Sequence, residues 1–253
     1  MNGTITAIRR FPVKGMTAEP LDAVTLAPGE GLPGDRAWGF LRAGHVFEGR
    51  PLQKDRFVVL QNEAGMARLA TRLVGTDRLI IADGDREQTF DLAAAADRNA
   101  AAAFVADRLG LPDRPTLIDA GDGRFTDVAV VSPALMNAVS ILSRASVDDL
   151  AAAAGVAVDP RRFRMNVEVE GWPPWAELET VDRTLTLGTM RLRVLLRTRR
   201  CAATEVDPDT ATRDLNVPVM LRRQRGHLDM GIYAEVIEGG TLRVGDRAVF
   251  EPG

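Results

Sequence analysis

The sequence predicts a mainly β protein with helical insertions, an α+β chain of barrel-like architecture. Three observations carry that expectation. Short runs of β-branched and apolar residues, punctuated by glycine and proline, fill both halves of the chain. Only two or three segments have helical character. No regular strand–helix alternation of the kind that builds a doubly wound parallel sheet is present. The 253 residues, with 45% hydrophobic and 26% charged side chains, make one large domain or two small ones.

Taken in order, Thr4 to Phe11 reads as a strand stopped by Pro12. Val24 to Leu26 runs into the turn cluster Pro28 to Gly34. Ala37 to Leu41 and Val46 to Phe47 flank Ala43-Gly44, a hairpin signal. Phe57 to Leu60, Leu79 to Ile81 and Thr89 to Leu92 are further strands, and Ala64 to Leu73 suits a short helix. Ala93 to Leu109 is alanine-dense, free of proline and glycine, and closed by Gly110, which predicts a helix that connects two halves. A shorter helix is expected over Ser146 to Ala154, with Ser146 as cap, Asp149 as a capping-box variant and Gly155 as stop. Strands return at Val128 to Val131, Asn166 to Val169, Leu185 to Leu187, Leu192 to Leu196, Ile232 to Ile237 and Ala248 to Phe250. Leu192, Val194 and Leu196 alternate with arginines, as in a half-buried strand.

Composition excludes several classes. The net charge is −3, which argues against a nucleic-acid or general polyanion binder. Lys14 and Lys54 are the only lysines among 32 basic residues, so arginine abundance reflects genome composition and only placement carries meaning. No apolar run approaches the roughly 18 residues of a membrane span, and the first fifteen residues lack the apolar centre of a secretory signal. With a single cysteine and no internal disulfide, a soluble cytoplasmic protein without membrane partners is expected.

Several motif matches fail on chemistry. Gly29-Glu30-Gly31-Leu32-Pro33-Gly34 fits G-x-G-x-x-G, but Pro33, Asp35 and a strand-like segment follow where a dinucleotide site needs a helix. It reads as a multi-glycine turn. Asp207-Pro208-Asp209 begins like a calcium loop and then lacks the required acids and glycine. His45, His227 and Cys201 are too few and too scattered for structural zinc. Asn2-Gly3-Thr4 is a glycosylation sequon with no secretory context.

The constellation that remains centres on Cys201. It ends a strand, precedes a turn and follows Arg199 and Arg200, and fixed positive charge beside a cysteine favours the nucleophilic, metal-ligating thiolate. Arg164 and Asn166 open a strand with their side chains on one face. Lys14 follows the strand-breaking Pro12 beside flexible Gly15, and Arg36 follows the glycine turn. Together these residues offer cations at strand ends for an anionic, phosphate-bearing ligand.

On these residues the chain resembles the MOSC-domain family, named after the C-terminal domain of molybdenum cofactor sulfurase, and within it the amidoxime-reducing components and their bacterial counterparts. The carriers are Phe11-Pro12-Val13-Lys14-Gly15, Gly31 to Trp38, Arg162 to Val167, Arg200 to Thr210, Gly231 to Ala234 and Gly239 to Asp246. The resemblance implies an N-terminal MOSC β-barrel-like domain over residues 1–110, its first strand free to pair with the second domain, and a MOSC β-barrel domain over 111–253.

It also implies a molybdenum cofactor (molybdenum–molybdopterin), with Cys201 as the thiolate ligand to the metal. Lys14, Gly15, Arg36, Asn137, Arg164, Asn166, Arg199, Arg200 and Tyr233 would contact the cofactor, with Gly15 where relatives often have serine. Asp207 is the acid expected near the metal. The implied activity is reduction of small N-oxygenated (N-hydroxylated) molecules. No cysteine set for an iron–sulfur cluster and no flavin or haem signature is present, nor is pyridoxal phosphate expected. Electrons would come from an external ferredoxin- or flavoprotein-type donor. Two alternatives stay open: a carrier of cofactor or sulfur using a Cys201 persulfide, and a non-redox anion-binding module.

Overall fold

The computed structural model describes residues 1–132 and 135–251. Its centre is a closed seven-stranded barrel. In chain order the barrel strands are β1 (Asn2–Arg10), β9 (Val139–Ser143), β10 (Val167–Glu170), β11 (Thr184–Leu187), β12 (Met190–Arg199), β13 (Asp229–Glu238) and β15 (Arg247–Phe250). Around the barrel the order is β1-β10-β9-β13-β12-β11-β15 and back to β1. All neighbours are antiparallel except β9 and β10. One edge of β1 pairs with β10; the other takes β15 near its start and β2 (Glu19–Leu21) near its end. A short ladder of β3 (Ala23–Leu26) and β14 (Gly240–Arg243) caps the barrel's side.

The barrel closes because its strands alternate. Leu192 and Val194 of β12 are fully buried while Arg191 and Arg193 point outward. Ile5, Ile8, Ile141, Val167, Val169, Leu185 and Ile232 fill the same interior. Trp172 is 2% exposed, packs on Phe250 at 5.1 Å between ring centroids, and donates its indole N–H to Ala248 O at 3.1 Å. Gly3 makes room for it, since a Cβ there would lie 2.8 Å from the indole nitrogen and 2.6 Å from Glu170 O.

The intervening chain forms a second hydrophobic cluster. Here β5 (Ala70–Val74), β6 (Arg78–Asp83) and β7 (Arg86–Asp91) make a meander, β4 (Trp38–Leu41) pairs with β8 (Thr116–Asp119), and α1 (Ala95–Leu109) packs on both. Leu79, Ile81, Phe90, Ala101 and Val105 share this core with Val13 and Phe40. Beyond the barrel, α2 (Arg144–Ala154) and α3 (Val217–Arg225) pack Val147, Leu150 and Leu221 on Leu142, Phe163 and Met165. Among the described residues no helix is long and apolar enough to cross a membrane.

Several expectations for single elements are corrected. Trp38 to Leu41 forms no hairpin with Val46 and Phe47. All four residues of β4 are buried, so the strand pairs with the apolar β8 rather than with exposed Val46. Phe57 to Leu60 makes one bridge, Phe57 to Leu41, and otherwise lies buried without a ladder. Ala64 to Leu73 splits into a 3-10 turn and strand β5. Val128 to Val131 is a run of turns, with Val131 75% exposed. Ser143, not Ser146, precedes α2, and the Ser146 hydroxyl is instead buried against Glu177.

Candidate functional site

The site grows from the strand break at Pro12. The Phe11 amide donates to Asp35 Oδ1 (2.8 Å), the Arg36 amide to Phe11 O (2.5 Å) and the Lys14 amide to Trp38 O (2.8 Å). These bonds lay the Phe11–Gly15 segment along the Asp35–Trp38 segment, so Lys14 and Arg36 emerge side by side. Arg36 takes a left-handed conformation (φ 51°), as does Arg164 (φ 54°) at the end of a 3-10 turn before β10. Both guanidinium groups lie over the Phe11 ring, at 4.5 and 4.6 Å from its centroid. Arg164 therefore sits ahead of its strand, and its direction comes from this turn rather than from strand alternation.

These cations open into a cavity of about 310 Å³ that Cys201 also lines. Lys14, Gly15, Arg36, Arg164, Asn166, Arg199, Arg200, Cys201 and Tyr233 all line it, nine of the eleven residues expected from sequence. Their roles differ. Lys14 is buried, donates to Phe125 O (2.9 Å) and pairs with Asp127. Burial lowers its ammonium, with Arg36 and Arg164 adding repulsion that Asp127 partly offsets. Arg36 is paired with Asp35 and also donates to Arg164 O (3.0 Å). The Arg164 guanidinium meets no acceptor among the described residues. Burial, then repulsion from Arg36, pulls it down to about 9, the mark of a cation short of countercharge.

Arg200 and Asn166 build the wall and are not free to bind. The Arg200 guanidinium, pulled down to about 10 by burial, donates to Phe163 O (2.7 Å) and Met230 O (2.6 Å) behind Cys201. The Asn166 carbonyl accepts from Ser140 (2.6 Å), and its amide reaches Arg9 O and Asp35 Oδ1. Tyr233 lines the cavity, its hydroxyl has no partner among the described residues, and burial raises it, so it stays protonated. Gly15 has φ +87°, and a Cβ there would stand 2.9 Å from Val59 Cα.

Asn137 and Asp207 lie outside the cavity lining. Asn137 accepts from Arg124 and donates to Gly29 O, tying down the glycine turn. Arg124 also collects the carbonyls of Gly31, Leu32 and Asp35. The turn thus turns oxygens inward, the opposite of the amide-lined loop that holds phosphate. Asp207 accepts from the amides of Asp209 and Thr210 and from Arg162. The Thr210 amide in the first place holds its carboxyl below the usual range, as expected of a turn-closing carboxylate.

Sequence reasoning missed Asp127, Lys54 and Thr198, which also line the cavity. Asp127 is half exposed. Burial opposes its ionisation, but Lys14 wins and holds it below the ordinary carboxylate range. Its one signal, an acid leading into Val128-Ala129-Val130-Val131, was masked by the resemblance of that run to a strand.

A model of the MOSC domain matches residues 123–249, half of the chain. The chain belongs to the MOSC domain family. Its relatives include the mitochondrial amidoxime reducing component 2 of Bos taurus, 33% identical over 120 residues. The component 1 of Mus musculus is 32% identical over 118 residues. These matches cover 43% and 42% of this MOSC chain and 35% and 34% of the relatives, so it spans about a third of their length. Among solved structures, the YUAD protein of Bacillus subtilis aligns over 100% of this chain and 98% of its own, with 15% identity and a TM-score of 0.48. YiiM of Geobacillus stearothermophilus covers 45% of this chain and 54% of its own, at 16% identity and a TM-score of 0.35.

Proposed function

We propose that this MOSC protein binds molybdenum–molybdopterin in the Cys201 cavity and reduces small N-oxygenated molecules there. The observation that carries the reading is the pairing, in one cavity, of a thiol wall with the acceptor-free Arg164 guanidinium. The donor set suits the group. Arg164, with Lys14 and Arg36 beside it, offers an electropositive seat for a phosphate. The Cys201 thiolate is a soft donor for a metal already held by sulfur. No cluster of three His, Cys, Asp or Glu exists among the described residues, so a metal at Cys201 would need a chelate that brings its other ligands.

When bound, the group would supply two-electron oxygen-atom chemistry, with electrons from an external ferredoxin- or flavoprotein-type donor. The chain's own residues orient and protect. Arg200 braces the Cys201 strand end against Phe163 and Met230, and Asn166 locks Ser140 to the Asp35 turn. Tyr233 keeps its proton at Oη, a neutral donor in the cavity lining. The names of the relatives support the reductase reading.

The test is metal analysis of protein made in a molybdopterin-synthesising host, beside Cys201→Ser. Near-stoichiometric molybdenum that the variant loses is the expected result. Molybdenum retained by Cys201→Ser overturns the ligand assignment, and its absence from both proteins overturns the cofactor reading.

A further inference from the structure

A second chamber of about 290 Å³ adjoins the Cys201 cavity. The two share four wall residues, Leu60, Arg162, Arg164 and Ala203. The second chamber is walled by apolar groups, among them Phe11, Ala18, Pro20, Val206 and Pro208, and among the described residues no acid lines it. Three of its four arginines are already neutralised from outside: Arg9 by Glu168, Arg161 by Asp159 and Asp209, Arg162 by Asp207 and Asp214. The fourth, Arg164, is shared with the Cys201 cavity, where it serves the anionic end of a ligand; the rest of the wall suits an uncharged apolar body.

One side chain holds the partition. Arg213 donates to Leu60 O (2.9 Å) and Gln61 O (2.7 Å) on one side and to Ala202 O (3.0 Å) on the other. It lines neither chamber, yet it fixes the backbone that carries Leu60 against the backbone that carries Ala203 and, one residue earlier than Ala202, Cys201. A planar fork spanning three carbonyls cannot be reproduced by another side chain.

We propose that the second chamber is an apolar annexe of the Cys201 cavity. It seats the hydrophobic, uncharged body of a small ligand whose polar end reaches Cys201, and Arg213 is the positioning residue that keeps the two spaces in line. The inference rests on the cavity being the working site proposed above, and it adds a preference for apolar-bodied ligands. It does not depend on the metal.

Cys201 is the only cysteine, so maleimide labelling of the full-length protein, made without molybdopterin, reports on one thiol. N-ethylmaleimide and N-cyclohexylmaleimide share a reactive head and differ in their apolar body. Normalised to free glutathione, the cyclohexyl reagent is expected to react about tenfold faster than the ethyl reagent, with a rate that saturates. Ala18→Trp, or the milder Ala18→Leu, fills the annexe from a residue that does not line the Cys201 cavity. Either removes the preference while leaving the ethyl rate within about twofold. Arg213→Ala also removes it, whereas Arg193→Ala, which loses a surface pairing with Glu235 outside both chambers, keeps it. Equal rates in the unmodified protein, no labelling at all, or a preference that survives in folded Ala18 or Arg213 variants would each overturn the proposal. Molybdenum content is measured separately, so failure of the cofactor reading and failure of the annexe are distinct results.

Discussion

Glu177 makes the fold sensitive to pH in a way that can be measured. It lies in a 3-10 turn, Ala176–Glu179, and is fully buried. Its carboxyl receives the Ser146 hydroxyl at 2.8 and 2.9 Å and has no cationic partner among the described residues. Burial dominates and pushes it from an ordinary 4.5 up to about 7, against the smaller help of Ser146 and the Gly231 amide. Between those values the folded state holds a proton that the unfolded chain has released. Stability therefore falls as pH rises through the window, and the loss, complete above about pH 7, is roughly 3 kcal/mol. Glu177→Gln keeps an acceptor for Ser146 and cannot ionise. Urea unfolding of both proteins should show little difference near pH 5 and an advantage for the variant that grows by about 3 kcal/mol towards pH 8. An advantage of the same size at both pH values would refute the assignment of the proton to Glu177.

Three further substitutions follow from the geometry. Gly15→Ser should not add a useful hydroxyl, because its backbone has φ +87° and the Cβ would meet Val59; a loss of about 1–3 kcal/mol in thermal or urea unfolding checks this. Arg164→Ala removes the cation that lacks countercharge, so cofactor occupancy after gel filtration should fall while the unfolding midpoint holds or rises; unchanged occupancy would remove Arg164 from the site. Trp172→Phe loses the indole bond to Ala248 O and part of the contact with Phe250, and should cost about 1–3 kcal/mol in unfolding free energy.

Much of the barrel was legible because its strands bury one face. Leu185, Leu192, Val194 and Ile232 each fall on an inward position that simple alternation identifies. Legibility ended where both faces are covered. Val139–Ser143 is buried at every residue and shows no alternation, so its strand was not recognised. α3 was missed because it spans only Val217–Arg225, although Asn216 as cap and Pro218 in its first turn are both start signals. In the site, the residues found were those tied to chain punctuation: Lys14 after Pro12, Arg36 after Gly34, Cys201 at a strand end. Asp127 was not, because its partner Lys14 lies 113 positions away and nothing local marks the pair. The functions of Arg200 and Asn166 as braces were likewise hidden, since their acceptors belong to distant segments.

The place of β1 in the barrel sets an order of assembly. Its inward residues Ile5 and Ile8 are made well before their partners, since their strand pairs with Val167–Glu170 and Arg247–Val249. At about 5–20 residues per second, β1 waits roughly 12–50 s on the ribosome for its β15 partner. The β5-β6-β7 meander and α1 need only near neighbours and can form during that interval. Barrel closure is then the slow, late event, with an apolar strand edge exposed until it happens. Folding yield should respond to translation rate and to chaperones that shield the waiting β1 strand.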